Sequence, residues 1–150
     1  MESPSQMAPS GLTAPIAVGG GLPYHRPTVK PPVLILRAAG VNCDVETAHA
    51  FALAGGECES IHVNRLLERP AELDRFSILA FPGGFSFGDD IAAGRILANL
   101  IRHHLSDALR RFIAAGKPVI GICNGFQVLI KTGLLPGGMK IGRASCRERV

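Results

Sequence analysis

The sequence predicts an α/β domain in which a parallel sheet is covered by helices on both faces. Three observations carry that reading. Short, continuous apolar runs recur at Val33-Leu34-Ile35-Leu36, Ser77-Ile78-Leu79-Ala80-Phe81 and Val119-Ile120-Gly121-Ile122. Continuous rather than alternating runs of this length fit strands buried on both faces. Between them lie segments of helical apolar period, and strands alternating with helices imply crossover connections and a parallel sheet.

The elements follow in order. Residues 1–30 are rich in Pro, Gly, Ser and Ala, include Gly19-Gly20-Gly21, and read as a flexible tail or as an extension from a misassigned start. After Pro31 and Pro32 comes the first strand, Val33–Leu36. Asp44 can cap a helix over Val45–Ala54, closed by Gly55 and Gly56 in left-handed conformation. Ser60-Ile61-His62-Val63 predicts a second strand, Pro70–Arg75 a helical turn, and Ser77–Phe81 a third strand. Asp90 should start a long helix running through Ile91, Ile96, Leu97, Leu100 and Ile101. Ser106 should cap the next, Asp107–Ala115, ended by Gly116. Val119–Ile122 is the fourth strand, and Asn124–Lys131 a helix stopped by Gly133. The pattern leaves strand order open, and no internal repeat occurs at a fixed period.

Composition narrows the function. A chain of 150 residues with 47% hydrophobic and 19% charged content can build one domain with a real core. The formal charge of +4 sits in the tails: residues 31–139 hold ten Lys and Arg against ten Asp and Glu, so no basic face for nucleic acid or an anionic membrane is implied. The four cysteines, Cys43, Cys58, Cys123 and Cys146, are widely spaced without CxxC or Cys/His ligand pairing, which argues against a structural metal and suits a reducing cytoplasm. No apolar run approaches the ~20 residues of a membrane-spanning helix.

The chemistry concentrates at two strand ends. Gly121-Ile122-Cys123-Asn124-Gly125 joins an apolar strand to a helix in the pattern of a nucleophile elbow, with Cys in place of Ser. Glycines at both two-residue offsets are a steric requirement, because side chains there would collide with the neighbouring helix or strand. The turn puts the Cys123 sulfur at the amino end of a helix and directs the Asn124 N–H toward a developing oxyanion. The second loop, Phe81-Pro82-Gly83-Gly84-Phe85-Ser86-Phe87-Gly88-Asp89-Asp90, also follows a strand, and its glycines can offer backbone N–H groups to a substrate oxygen. A phosphate loop is a weaker alternative, since neither GxGxxG nor Gly-Lys-Ser/Thr is present.

Taken with Gly40-Val41-Asn42-Cys43-Asp44 and Gly133-Leu134-Leu135-Pro136-Gly137, these loops resemble the glutaminase subunit of phosphoribosylformylglycinamidine synthase, a triad-type glutamine amidotransferase. The resemblance spans about Pro32 to Gly138. The Cys-x-Gly-x-Gln core is common to triad glutaminases, whereas Pro-Gly-Gly-Phe-Ser-Phe-Gly-Asp and Cys-Asn-Gly-Phe-Gln mark this branch. The resemblance implies a flavodoxin-like fold and a Cys123 that attacks the glutamine side-chain amide, giving a thioester and ammonia before water releases glutamate. It implies backbone N–H donors at Gly84 and Asn124 for the oxyanion, and Gly84, Phe85, Ser86 and Gln127 around the glutamine α-groups. The ammonia would pass, in de novo purine synthesis, to a large synthase subunit that uses ATP and Mg, with a small bridging subunit as a further candidate partner. No cofactor or nucleotide site is expected in this chain itself.

Other residues carry less. Cys43 and Cys58 are expected as packing residues, Cys43 as a small buried filler. His103 and His104 point about 100° apart on a helix and should be exposed. His49 and His62 are isolated, and Asp89 and Asp90 should cap the following helix. The family's general-base His and its orienting Glu lie beyond the nucleophile helix, so the domain, residues 31–139, is expected to be an amino-terminal part without turnover of its own. Residues 140–150, Lys140 to Val150, are a burst of charge without apolar period that back-translates to a sequencing adapter, and are expected to be foreign sequence. Two rivals remain: a cysteine-elbow hydrolase of the stress-protein and deglycase type, in which histidine usually follows the cysteine where Asn124 stands here, and a non-catalytic binding subunit of the same fold.

Overall fold

The computed structural model describes residues 29–89 and 94–135. Within them, β1 (Pro32–Arg37), β2 (Glu57–His62), β3 (Ile78–Phe81) and β4 (Val119–Gly121) form a parallel sheet in the order β2-β1-β3-β4. The connections carry α1 (Asp44–Leu53), α2 (Val63–Glu68), α3 (Arg95–His104), α4 (Ser106–Ala114) and α5 (Asn124–Thr132), with 3-10 turns at Pro70–Arg75 and Ser86–Asp89. This is the flavodoxin-like α/β fold. From β1 the chain winds outward to β2, then crosses back to place β3 on the other side. The loops after β1 and β3 therefore diverge over one crevice at the switch point, where such sheets collect ligands.

Strand β1 shows why its sequence is apolar throughout. Successive side chains alternate between faces. Leu34 and Leu36 enter a large core with Leu79, Phe81, Ile101 and Phe112, while Val33 and Ile35 meet Ala80 on the opposite face, against Ala48 and Phe51 of α1. Each fully buried aliphatic or aromatic side chain of this kind contributes about 1.5–3 kcal/mol. Both faces thus carry helices, α1 on one side and the remainder of the core on the other.

Several local expectations are corrected. Val63 begins α2 rather than ending β2, because the His62 ring accepts a hydrogen bond from the Asn64 N–H at 3.3 Å and starts a helix there. Asp44 is not a cap: Cys43 occupies that position, and the Asp44 carboxylate pairs with Arg37 Nε at 2.8 Å, tying the end of β1 to the start of α1. Ser106 likewise lies inside α4, after Leu105, and its hydroxyl oxygen accepts from Arg110 Nε at 3.3 Å. Gly55 takes the left-handed conformation at φ 97°, and Gly56 does not. Helix α3 starts at Arg95, after Gly94 at φ 69°, where a side chain would stand 2.6 Å from Val128 Cγ2 of α5. Asp89 sits in the preceding 3-10 turn and so does not cap α3; Asp90, the tail before residue 29 and residues 140–150 lie outside the described residues.

Candidate active site

Strand β4 ends at Gly121 and α5 begins at Asn124, so Cys123 must turn the chain within two residues. It does so at φ 53°, ψ −114°, a conformation that L side chains rarely adopt and that costs about 1–3 kcal/mol. The Ile122 N–H donates to Phe81 O at 3.0 Å, extending the sheet to the turn. The flanking glycines are required by contact on opposite sides. A Cβ on Gly121 would lie 2.8 Å from the Phe126 backbone and 2.7 Å from Leu129 Cδ1, and one on Gly125 would overlap the Phe81 carbonyl oxygen. The cysteine thiol emerges exposed at the amino end of α5.

The loop after β3 is fastened to the loop after β1. Phe85 N–H donates to Gly40 O at 2.8 Å, Phe87 N–H to Ala39 O at 2.6 Å, and Cys43 N–H to Gly83 O at 3.2 Å. Gly84 faces Val41 across an isolated antiparallel bridge at φ 138°, and a side chain there would stand 2.7 Å from the Asn42 nitrogen. No hydrogen bond among the described residues takes up the Gly84 N–H. The bare flank of Gly83 lies against the elbow, where an added Cβ would be 3.5 Å from Cys123 Cβ. Loop and thiol therefore border one space.

A buried amide locks the two together. Asn124 Oδ1 accepts from the Ser86 N–H at 3.2 Å and from the Ser86 hydroxyl at 2.7 Å, while Asn124 Nδ2 donates to Gln127 Oε1 at 3.3 Å. Asn124 and Ser86 are each 2% exposed. The Ser86 hydroxyl is thus turned toward α5, Phe85 is 64% exposed at the rim, and Gln127 is half-buried beside Asn124. The side-chain part of Asn124 was not foreseen from the sequence, where only its N–H was singled out.

The remaining polar residues separate cleanly. Cys43 is exposed rather than buried: as the residue before α1 at the switch point, it turns its thiol out of the core, with Asn42 Oδ1 at 3.4 Å. Cys58 packs as expected, half-buried, donating to Ala48 O at 3.3 Å, and burial pushes its thiol pKa up. His49, His62, His103 and His104 are exposed, and none bonds to Cys123. Among the described residues, no three His, Cys, Asp or Glu are grouped to hold a metal ion, and no helix is long and apolar enough to cross a membrane.

The CobB/CobQ-like glutamine amidotransferase domain family matches residues 30–147. The chain is 57% identical over 110 residues to the phosphoribosylformylglycinamidine synthase subunit PurQ of Dehalococcoides mccartyi, covering 73% of this chain and 43% of that protein. It is 47% identical over 115 residues to the corresponding subunit of Treponema denticola, covering 77% and 43%. A chain in the solved structure of PurLQS from Thermotoga maritima superposes with a TM-score of 0.60 at 35% identity, over 73% of this chain and 48% of that one. The chain spans less than half the length of these relatives.

Proposed function

The chain belongs to the CobB/CobQ-like glutamine amidotransferase domain family, and on that premise we propose that it carries the nucleophile half of a glutaminase site serving phosphoribosylformylglycinamidine synthesis. The observation that carries the proposal is Cys123, held at φ 53° at the head of α5 with the Gly83-Gly84 loop beside it. Its sulfur attacks the side-chain amide carbon of glutamine. The amide oxygen becomes an oxyanion, received by the backbone N–H groups of Gly84 and Asn124. Collapse expels ammonia and leaves a thioester, which water cleaves to glutamate.

Gly84, Phe85, Ser86 and Gln127 border the glutamine α-groups. For Ser86 the support is through its backbone and the loop it holds, since its hydroxyl donates to Asn124. The exposed histidines of the described residues do not serve Cys123, so the base falls to a histidine and glutamate that, by the family resemblance, follow the nucleophile helix. Ammonia passes to a large synthase subunit, to which ATP and Mg belong, with a small bridging subunit as a further partner. The setting proposed is the cytoplasm. Against the deglycase-type reading stands Asn124, whose amide joins the elbow to the loop where that group usually has histidine.

Protection tests this reading. L-glutamine should slow iodoacetamide alkylation of Cys123 while leaving Cys58 unchanged, and L-asparagine, one methylene shorter, should protect far less. Equal protection by both, or none, would remove glutamine as the substrate.

A further inference from the structure

Two exposed thiols share the crevice, and the glutaminase chemistry uses one. The position that a Gly83 side chain would occupy lies 3.5 Å from Cys123 Cβ and 3.6 Å from Cys43 Sγ. The residue between the two cysteines is thus a glycine with no side chain to separate them. Their backbones are held in register as well, because the Cys43 N–H donates to Gly83 O at 3.2 Å and the Ile122 N–H to Phe81 O at 3.0 Å. Cys43 Sγ has Asn42 Oδ1 as its polar neighbour at 3.4 Å, a weak contact that does not commit it. Both thiols are open to solvent, unlike half-buried Cys58.

We propose that Cys43 is a resolving thiol for Cys123, so that a hydroperoxide converts the pair into a reversible disulfide across the mouth of the site. In the first step the Cys123 thiolate attacks one oxygen of hydrogen peroxide. The O–O bond breaks, hydroxide leaves, and the sulfur is oxidised to sulfenic acid. In the second, the Cys43 thiolate attacks Cys123 Sγ, the S–O bond breaks, and the sulfenic hydroxyl departs as water after taking up one proton. Peroxide is the two-electron oxidant throughout. Closure needs the Cβ atoms within about 3.5–4.5 Å, a spacing set by the backbones on either side of Gly83, while side-chain rotation turns the two Sγ atoms into the space that Gly83 leaves open. The disulfide would silence Cys123 as a nucleophile yet shield it from irreversible oxidation to the sulfinic acid, and a dithiol would restore it. The proposal requires a reactive Cys123 but not that glutamine be its substrate.

The test is peptide mapping of the full chain after equimolar hydrogen peroxide, with free thiols then blocked by N-ethylmaleimide. Digestion after glutamate separates Cys43 from Cys58, because Glu46 and Glu57 lie between them, and further digestion after lysine and arginine separates Cys123 from Cys146 at Lys131, Lys140 and Arg143. The expected product is an intramolecular Cys43–Cys123 peptide, lost on treatment with dithiothreitol. In Cys43→Ser, Cys123 should instead stop at the sulfenic acid with one equivalent of peroxide and proceed to the sulfinic acid with a second. Gly83→Ala keeps both thiols and makes only ordinary contacts, but sets a methyl between them, and should slow cross-linking several-fold. Slow Cys58 alkylation in each variant reports that the fold is retained. Cys43 remaining alkylatable after peroxide, a cross-link between chains, or a Gly83→Ala rate equal to the parent's would overturn the proposal.

Discussion

Asn124 Oδ1 takes two hydrogen bonds from Ser86, one from the backbone N–H at 3.2 Å and one from the hydroxyl at 2.7 Å, across a junction in which both residues are 2% exposed. One amide thereby fixes the separation between the loop after β3 and the head of α5. Asn124→Ala leaves the Ser86 N–H and hydroxyl buried without that acceptor, which costs about 1–3 kcal/mol. Ser86→Ala removes one bond and leaves the amide a second partner, so about 1 kcal/mol is expected. Urea denaturation should rank the two in that order. Asn124→Ala should also slow electrophile capture by Cys123, since the loop after β3 loses its anchor beside the thiol; equal stabilities for both variants would contradict this account.

The elbow is strained, and the strain is local. Cys123→Gly relieves the φ 53° conformation and should raise stability by about 1 kcal/mol or more relative to Cys123→Ala while abolishing reactivity. Thermal melts of the two variants decide it, and a Cys123→Ala protein as stable as Cys123→Gly would mean that the turn stores no strain.

Glycine substitutions should differ by surroundings. Gly125→Ala drives a methyl into the Phe81 carbonyl and should cost about 3 kcal/mol or more. Gly116→Ala meets open space and carries only the left-handed penalty at φ 74°, about 1–2 kcal/mol. Denaturation midpoints should separate the pair clearly.

These contrasts also mark what the sequence disclosed. The parallel sheet, strands β1, β3 and β4 and the elbow are legible because continuous apolar runs and paired glycines have few other physical explanations, whereas β2, with Glu57 and Glu59 in its first half, is legible only toward its end. Helix α2 was hidden, since His62-Val63 reads equally as strand until the imidazole is seen capping Asn64. Cys43 reads as buried from the sequence, but its exposure depends on strand order: only when β3 lies beside β1 does the loop after β1 open onto the Gly83 crevice. The caps expected at Asp44 and Ser106 failed for a related reason, as each side chain found an arginine instead.

Thiol reactivity against pH gives a further check. Burial raises the Cys58 pKa, so at a given pH a smaller fraction is thiolate than for an ordinary exposed cysteine, and iodoacetamide should reach Cys58 only at higher pH. Unfolding in urea should abolish that lag. Cys58 alkylated in the folded chain as fast as Cys123 would count against the burial seen here.

The central claim, that Cys123 is a glutamine-directed nucleophile, is tested most directly by covalent capture with the diazoketone analogue of glutamine. The account predicts one adduct per chain, mapped to Cys123, suppressed by excess L-glutamine and absent in Cys123→Ser. An adduct on Cys43 or Cys58 instead, or labelling of Cys123 that glutamine does not suppress, would contradict it.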